Sequence, residues 1–257
     1  MARLPRLYAP QVPQLVQAEF ARPLAAVSDP TPSEELDLLL EWLLYDAREY
    51  KVAVHGWLLL NDRITLLATP PDAQGLSRLM QSLGRRLAMH MRCGRVFTGR
   101  YRSTLVEPGA WVLPALVWLE SLPVQQHYVD RAESWPWSSA AAHTGVHAGT
   151  EPGSPMGFPT GSPKSSPWGT AAIGRTLISD HVDYWQDGNT PFAREANYRE
   201  RIHNGLTEAQ TQRIEKALFG QWVLGDTAFV EKLSTMGTRR LTPAARGRPR
   251  TVKSPVP

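Results

Sequence analysis

Two apolar, β-leaning runs, Val52–Leu60 and Arg63–Thr69, are separated by only Asn61 and Asp62. Asparagine and aspartate both tolerate positive φ, which suits a two-residue turn between paired strands. The stretch predicts a tight hairpin in the middle of a sheet, with the other elements arranged around it.

Before the hairpin, Leu15–Phe20 reads as a first strand. Thr31-Pro32-Ser33-Glu34-Glu35 is a helix start, a capping residue followed by acids that suit the positive end of the helix dipole. Leu36, Leu39, Leu40, Leu43, Leu44 and Ala47 then recur at helical spacing, to an expected end near Tyr50. After the hairpin, Pro70-Pro71-Asp72 breaks the strand. A second helix is expected over Gly75–Arg92, with Leu76, Leu79, Leu83, Leu87 and Met91 inside and Arg78, Arg85, Arg86 and Arg92 outside. Gly99–Glu107 alternates as a strand does, and Glu107-Pro108-Gly109 turns into a helix over about Ala110–Ser121. The order β, α, β-hairpin, α, β, α predicts an α+β fold: a ferredoxin-like antiparallel sheet with helices packed on it, followed by a small helical C-terminal region.

The expected organisation is an α+β domain over 1–145, a Gly/Pro/Ser-rich linker over 146–170, a helical region over 171–235 and a basic disordered tail over 236–257. Helical signals in the third part lie at Ala171–Trp185, after Asn189-Thr190-Pro191-Phe192, after the capping box Thr207-Glu208-Ala209-Gln210, and from Asp226 to Leu233. In the tail, Arg246-Gly247-Arg248-Pro249-Arg250 resembles an AT-hook core. Such a backbone can lie in a narrow A·T minor groove, where the potential draws arginine in. A solvated basic tail is the equal alternative.

Composition narrows the class. The 257 residues are 42% hydrophobic and 20% charged, enough for a globular core. The net charge of +4, with a pI near 9.4, is compatible with nucleic acid. A single cysteine, Cys93, excludes an internal disulfide and a cysteine-based zinc site. No signal-peptide core and no long uncharged run is present, so the expected location is the cytoplasm.

Several segments together resemble the REP-associated tyrosine transposases, a branch of the HUH-type (IS200-like) single-strand DNA transposases. They are Val52–His55, Leu66–Pro70, the Leu76-Ser77-Arg78-Leu79-Met80-Gln81-Ser82-Leu83-Gly84 run, Gly99–Val106, Trp135-Pro136-Trp137-Ser138-Ser139, Gly188–Ala196 and Trp222–Gly225. The resemblance implies the same ferredoxin-like sheet and a chemistry in which a tyrosine oxygen attacks a phosphodiester. A divalent metal (Mg2+ or Mn2+), held by a His-hydrophobe-His pair on the second hairpin strand, polarises the phosphate. The tyrosine and a third ligand lie one turn apart on a helix.

The positions that this resemblance assigns to the chemistry carry other residues. The histidine pair reads Arg63 and Thr65. Arginine has no lone pair to donate and carries a fixed positive charge. The tyrosine position is Trp118, whose indole offers only an N–H, and the third-ligand position is Leu122. No His-x-His occurs among the seven histidines. His143 and His147 have helical spacing but border the linker, and His55 reads as a strand residue satisfied by a neighbour. Tyr101 and Tyr128 remain as surrogate nucleophiles. No catalytic residue and no metal site are therefore expected.

The first function implied is a catalytically silent, transposase-like DNA-binding protein with no cofactor. Its expected contacts with single-stranded or hairpin DNA are Arg85, Arg86, Arg100, Tyr101, Arg102, Arg246, Arg248 and Arg250. Tyr101 or Trp118 offers a stacking face to an unpaired base, although the apolar neighbours Leu116, Val117 and Leu119 favour Trp118 as a core residue. The alternatives are an active transposase using other residues, a homodimer or a protein partner that inhibits an intact family member, and a decayed copy without a role.

Overall fold

The computed structural model describes residues 6–25, 32–146, 170–235 and 240–243. The expected linker falls almost wholly outside these, as do His147, Arg246, Arg248 and Arg250. Four strands, β1 (Gln14–Glu19), β2 (Ala53–Leu59), β3 (Arg63–Thr69) and β4 (Arg102–Leu105), form one sheet in the order β2-β3-β1-β4. Every neighbouring pair is antiparallel. With α1 (Ser33–Glu49) after β1 and α2 (Gly75–His90) after β3, the connectivity is the ferredoxin-like one that the element order predicts.

The hairpin forms, but not by the turn chemistry expected. Neither Asn61 nor Asp62 has a positive φ. The turn is held from outside instead. The Asn61 and Asp62 carbonyls accept from Leu24 and Phe20, and the Asn61 side chain accepts from the Ala25 N–H at 2.9 Å. Backbone groups at the tip thus find partners in the chain that follows β1.

Register sorts the strands into two faces, because directly opposed residues point the same way. Val16, Ala18, Ile64, Leu66, Ser103 and Trp57 share the face covered by α1 and α2. Leu15, Gln17, Glu19, Arg63, Thr65, Leu67, Arg102 and Thr104 share the other. The second face is covered by α3 (Val112–Gln125) and by α8 (Glu208–Gly220). The helix α3 runs beyond the expected end at Ser121, carrying Pro123 inside its last turn.

Gly56 marks how closely α3 approaches. A Cβ there would lie 2.3 Å from Leu116 Cδ2 and 3.4 Å from Leu119 Cδ2. Both leucines are fully buried, so neither can swing away. Gly56→Ala is expected to destabilise the fold by about 2 kcal/mol through overpacking, read as a lowered midpoint in urea. An unchanged midpoint would mean that α3 gives way freely.

The later helices do not stand apart from the sheet. The helices α4 (Ala140–Thr144) and α7 (Pro191–Asn204) pack together, and α5 (Thr170–Leu177) lies on α1. Leu177, Tyr198, Ile214 and Leu218 belong to the same hydrophobic core as Leu15 and Leu66. The helical signal expected over Ala171–Trp185 divides into α5 and α6 (Val182–Gln186), because His181 caps the second by accepting from the Asp183 N–H. Thr207 forms the capping box of α8, and Asp226 caps α9 (Thr227–Ser234), as their spacing predicts. No helix among the described residues is long and apolar enough to cross a membrane.

Candidate nucleic-acid interface

The sheet face beneath α3 carries Arg63 and Thr65, the residues that the sequence resemblance sets at the metal-ligand positions. Arg63 and Thr65 stand two apart on β3 and so point to the same side. Arg63 donates twice to Asp62, at 2.9 Å from Nε and 2.5 Å from a terminal nitrogen. The hydrogen bond to Asp62 raises the Arg63 pKa, which keeps the guanidinium charged. Thr65 is fully buried, and its hydroxyl accepts from Gln17 Nε2 at 3.4 Å. Across β1, Glu19 lies 3.8 Å from Arg102, whose guanidinium sits 5.1 Å from the Phe219 ring centroid.

This donor set does not fit a divalent cation. It presents a bound guanidinium and an occupied hydroxyl where lone pairs are needed. Among the described residues no group of three or more His, Cys, Asp or Glu side chains converges anywhere to hold one.

On α3, Trp118 is 2% exposed and its indole N–H has no partner among the described residues. It belongs to the core that includes Ile214 and Leu218 of α8. Leu122 is buried one turn on. Neither presents a surface to a base or a phosphate. Tyr128 stands near Arg63, but burial, and next the Asp62 charge, push its phenol up, away from the phenolate a nucleophile needs.

A second concave surface lies on the opposite side of the sheet. It is a groove of about 550 Å³ between α2 and the segment 94–101. Arg6, Arg85, Arg95 and Arg100 line it, with Phe97 and Tyr101, and no acidic residue among the described residues does. Arg6 lies over the Tyr101 ring at 3.5 Å, and the Tyr101 hydroxyl bonds to Ser77 at 2.9 Å. Tyr101 is therefore a buried support for Arg6, with one ring face occupied by a guanidinium.

The arginines singled out from the sequence divide accordingly. Arg85 and Arg100 face the groove, and Arg86 turns away to Asp46 (3.5 Å) and the Tyr45 ring (4.8 Å). Arg102 points to the other sheet face, as its register with Gln17 dictates. Arg6 and Arg95 were not legible as members of any site. Arg6 is far along the chain from its groove neighbours, and Arg95 lies in an irregular loop, where no periodicity assigns a face.

No protein-family model matches the chain. No curated protein matches it either. Among solved structures the comparison finds a REP-associated tyrosine transposase bound to a REP hairpin. It superposes with a TM-score of 0.49 at 14% identity, over 65% of this chain and 100% of that transposase chain.

A third cluster is wholly internal. Glu120, on the side of α3 turned from solvent, accepts from the Ser139 hydroxyl, from His143 Nδ1 (2.6 Å) and from the Tyr198 hydroxyl (2.7 Å). Ser139 also accepts from the Trp57 N–H at 3.0 Å. Serine, histidine and glutamate meet here, but both the serine and the histidine are spent on the carboxyl group. All are buried, and no substrate could reach them. The cluster ties β2, α3, α4 and α7 together. A lone glutamate in the apolar run Val117–Leu122 was the available signal, since a buried carboxyl group needs partners.

Proposed function

We propose that this chain is a transposase-like DNA-binding protein that has lost strand cutting. The observation that carries the reading is the sheet face beneath α3. Its frame is intact, yet Arg63, Thr65 and the buried Trp118 stand where the resemblance requires metal ligands and a nucleophile. Arg63 has no lone pair for a cation, the buried Thr65 hydroxyl already accepts from Gln17, and the Trp118 indole has no oxygen to attack phosphorus, so the residues favour binding over breakage. Uncompensated arginines supply the affinity by neutralising phosphates, a term tolerant of sequence and sensitive to salt.

The test is a pair of assays on the full chain with hairpin and single-stranded DNA. With Mg2+ or Mn2+ present, no covalent protein–DNA adduct is expected on a denaturing gel. Binding is expected to persist unchanged in EDTA and to fall on a log–log plot against salt, with a slope of roughly −0.7 for each phosphate neutralised on a single strand. A metal-dependent adduct would overturn the loss of cutting. Binding weaker than micromolar with no salt dependence would overturn DNA binding.

A further inference from the structure

Among the described residues, the groove between α2 and segment 94–101 holds four guanidinium groups, and no acidic side chain lines it. Elsewhere on this molecule several arginines are matched by a carboxylate. Arg63 is paired with Asp62, Arg78 with Asp72, Arg86 with Asp46 and Arg201 with Asp187. In the groove none of the four is ion-paired among the described residues, and only Arg85 feels a carboxylate, the charge of Asp46. Arg6 donates to the Tyr101 carbonyl at 3.4 Å, and its Nε is buried with no partner among the described residues. Burial, with Arg100 adding in the same sense, lowers its pKa, so the charge is held against both desolvation and a neighbouring cation. Arg95 bonds only to a backbone carbonyl, that of Phe97, at 3.0 Å. Folding thus brings together cations that repel one another. An anion seated among them would relieve that repulsion and satisfy the spare donors.

The shape narrows the anion. A concavity of about 550 Å³ takes an extended strand segment, whereas the body of a duplex cannot enter it. Phe97 borders the groove half-buried, stacked on Phe20 with ring centroids 5.8 Å apart. A supported aromatic edge beside a row of cations is the combination that binds unpaired nucleic acid. The groove also lies on the α2 side of the sheet, away from Arg63 and Trp118, so it owes nothing to the lost chemistry.

We propose that this groove seats the sugar–phosphate backbone of a single nucleic-acid strand, with Arg6, Arg85, Arg95 and Arg100 neutralising its phosphates. The proposal rests on the proposed DNA-binding function and adds where and in what form the strand is held.

The experiment compares three full-length proteins by fluorescence anisotropy with a single-stranded thymidine oligonucleotide across a salt series. They are wild type, Arg95→Ala/Arg100→Ala, and Lys216→Ala/Lys232→Ala. The last removes the same charge from exposed sites on α8 and α9. Arg95 and Arg100 are also exposed, so their loss should leave the fold intact, which circular dichroism checks. The arginine pair is expected to bind at least 10-fold more weakly, with a salt slope shallower by roughly 1.4, two strand phosphates' worth. The lysine pair is expected to match wild type. A blunt-ended duplex should bind wild type more weakly than the single strand, and thymidine monophosphate at equal nucleotide concentration should not compete.

Equal slopes for the two double variants would overturn the groove while leaving DNA binding in place, because charge would then act diffusely. Duplex binding as tight as single-strand binding, or full competition by the mononucleotide, would overturn the single-strand assignment. Wild type that binds no nucleic acid would overturn both this proposal and the function on which it rests.

Discussion

Replacing Glu120 by alanine is expected to destabilise the protein by about 4 kcal/mol, because two buried donors lose their acceptor, a third keeps only the Trp57 carbonyl, and a cavity opens beside them. The Ser139 hydroxyl, His143 Nδ1 and the Tyr198 hydroxyl all converge on this carboxyl group, and each is buried. His143 already has a buried Nε2 with no partner among the described residues, so its ring cannot turn to a second acceptor for relief. Glu120→Gln keeps the shape and one carbonyl acceptor, and is expected to lose about half as much. Urea unfolding of both variants measures the difference. If the alanine variant unfolds within about 1 kcal/mol of wild type, the cluster is not what ties α3 to α4 and α7. The loss should also exceed that of Gly56→Ala, which strains a contact but orphans no polar group.

The second large effect is a loss of stability on acidification, centred on His55. This ring sits at a bulge in β2, bonded through Nδ1 to the Ser179 carbonyl at 2.6 Å and through Nε2 to the Thr69 hydroxyl at 2.7 Å. The neutral ring satisfies both, donating at one nitrogen and accepting at the other. Burial lowers its pKa from an ordinary 6.5 to about 4, against the Ser179 hydrogen bond and with His181 and His143 adding to the drop. His181, 5.0 Å away ring to ring, is lowered too, by burial, with Asp183 opposing.

A depressed histidine means that the unfolded chain binds the proton first. The contribution is whole above pH 6.5 and is lost as the pH falls toward 4. His55 alone is expected to remove about 3 kcal/mol across that window, most of it by about pH 4.5. Denaturant midpoints at a series of pH values from about 7.5 down to about 4.5 give the profile. His55→Gln should be less stable at neutral pH and should show a flatter profile. A wild-type profile that stays level across the whole series would refute the assignment.

Much of the fold was legible because it is written in short-range pattern. Two apolar runs two residues apart had to form a hairpin, and leucines at 36, 39, 40 and 43 had to line one side of a helix. Thr207 with Gln210, and Asp226 ahead of Phe229, announced helix starts through groups three residues apart. Where the expectation failed, distant partners had intervened. Asn61 and Asp62 needed no left-handed backbone, because residues 20–25 hold the turn. The helix α3 passed its expected stop at Ser121, because burial of Leu122 and Pro123 outweighs what proline costs near a helix end.

The chemistry divides in the same way. Residue type alone settles that Arg63 cannot hold a cation and that Trp118 cannot attack phosphorus, wherever they lie. Which sheet face Arg102 takes follows from strand alternation once the register is known. The gathering of Arg6 with Arg85, Arg95 and Arg100 has no such local signature. Nor has the meeting of Glu120 with Ser139, His143 and Tyr198, which spans 78 residues between Glu120 and Tyr198. Backbone periodicity and side-chain chemistry are properties of neighbours along the chain. Convergence depends on how whole elements pack, and a single position such as the lone Glu120 announces that it needs partners without saying which.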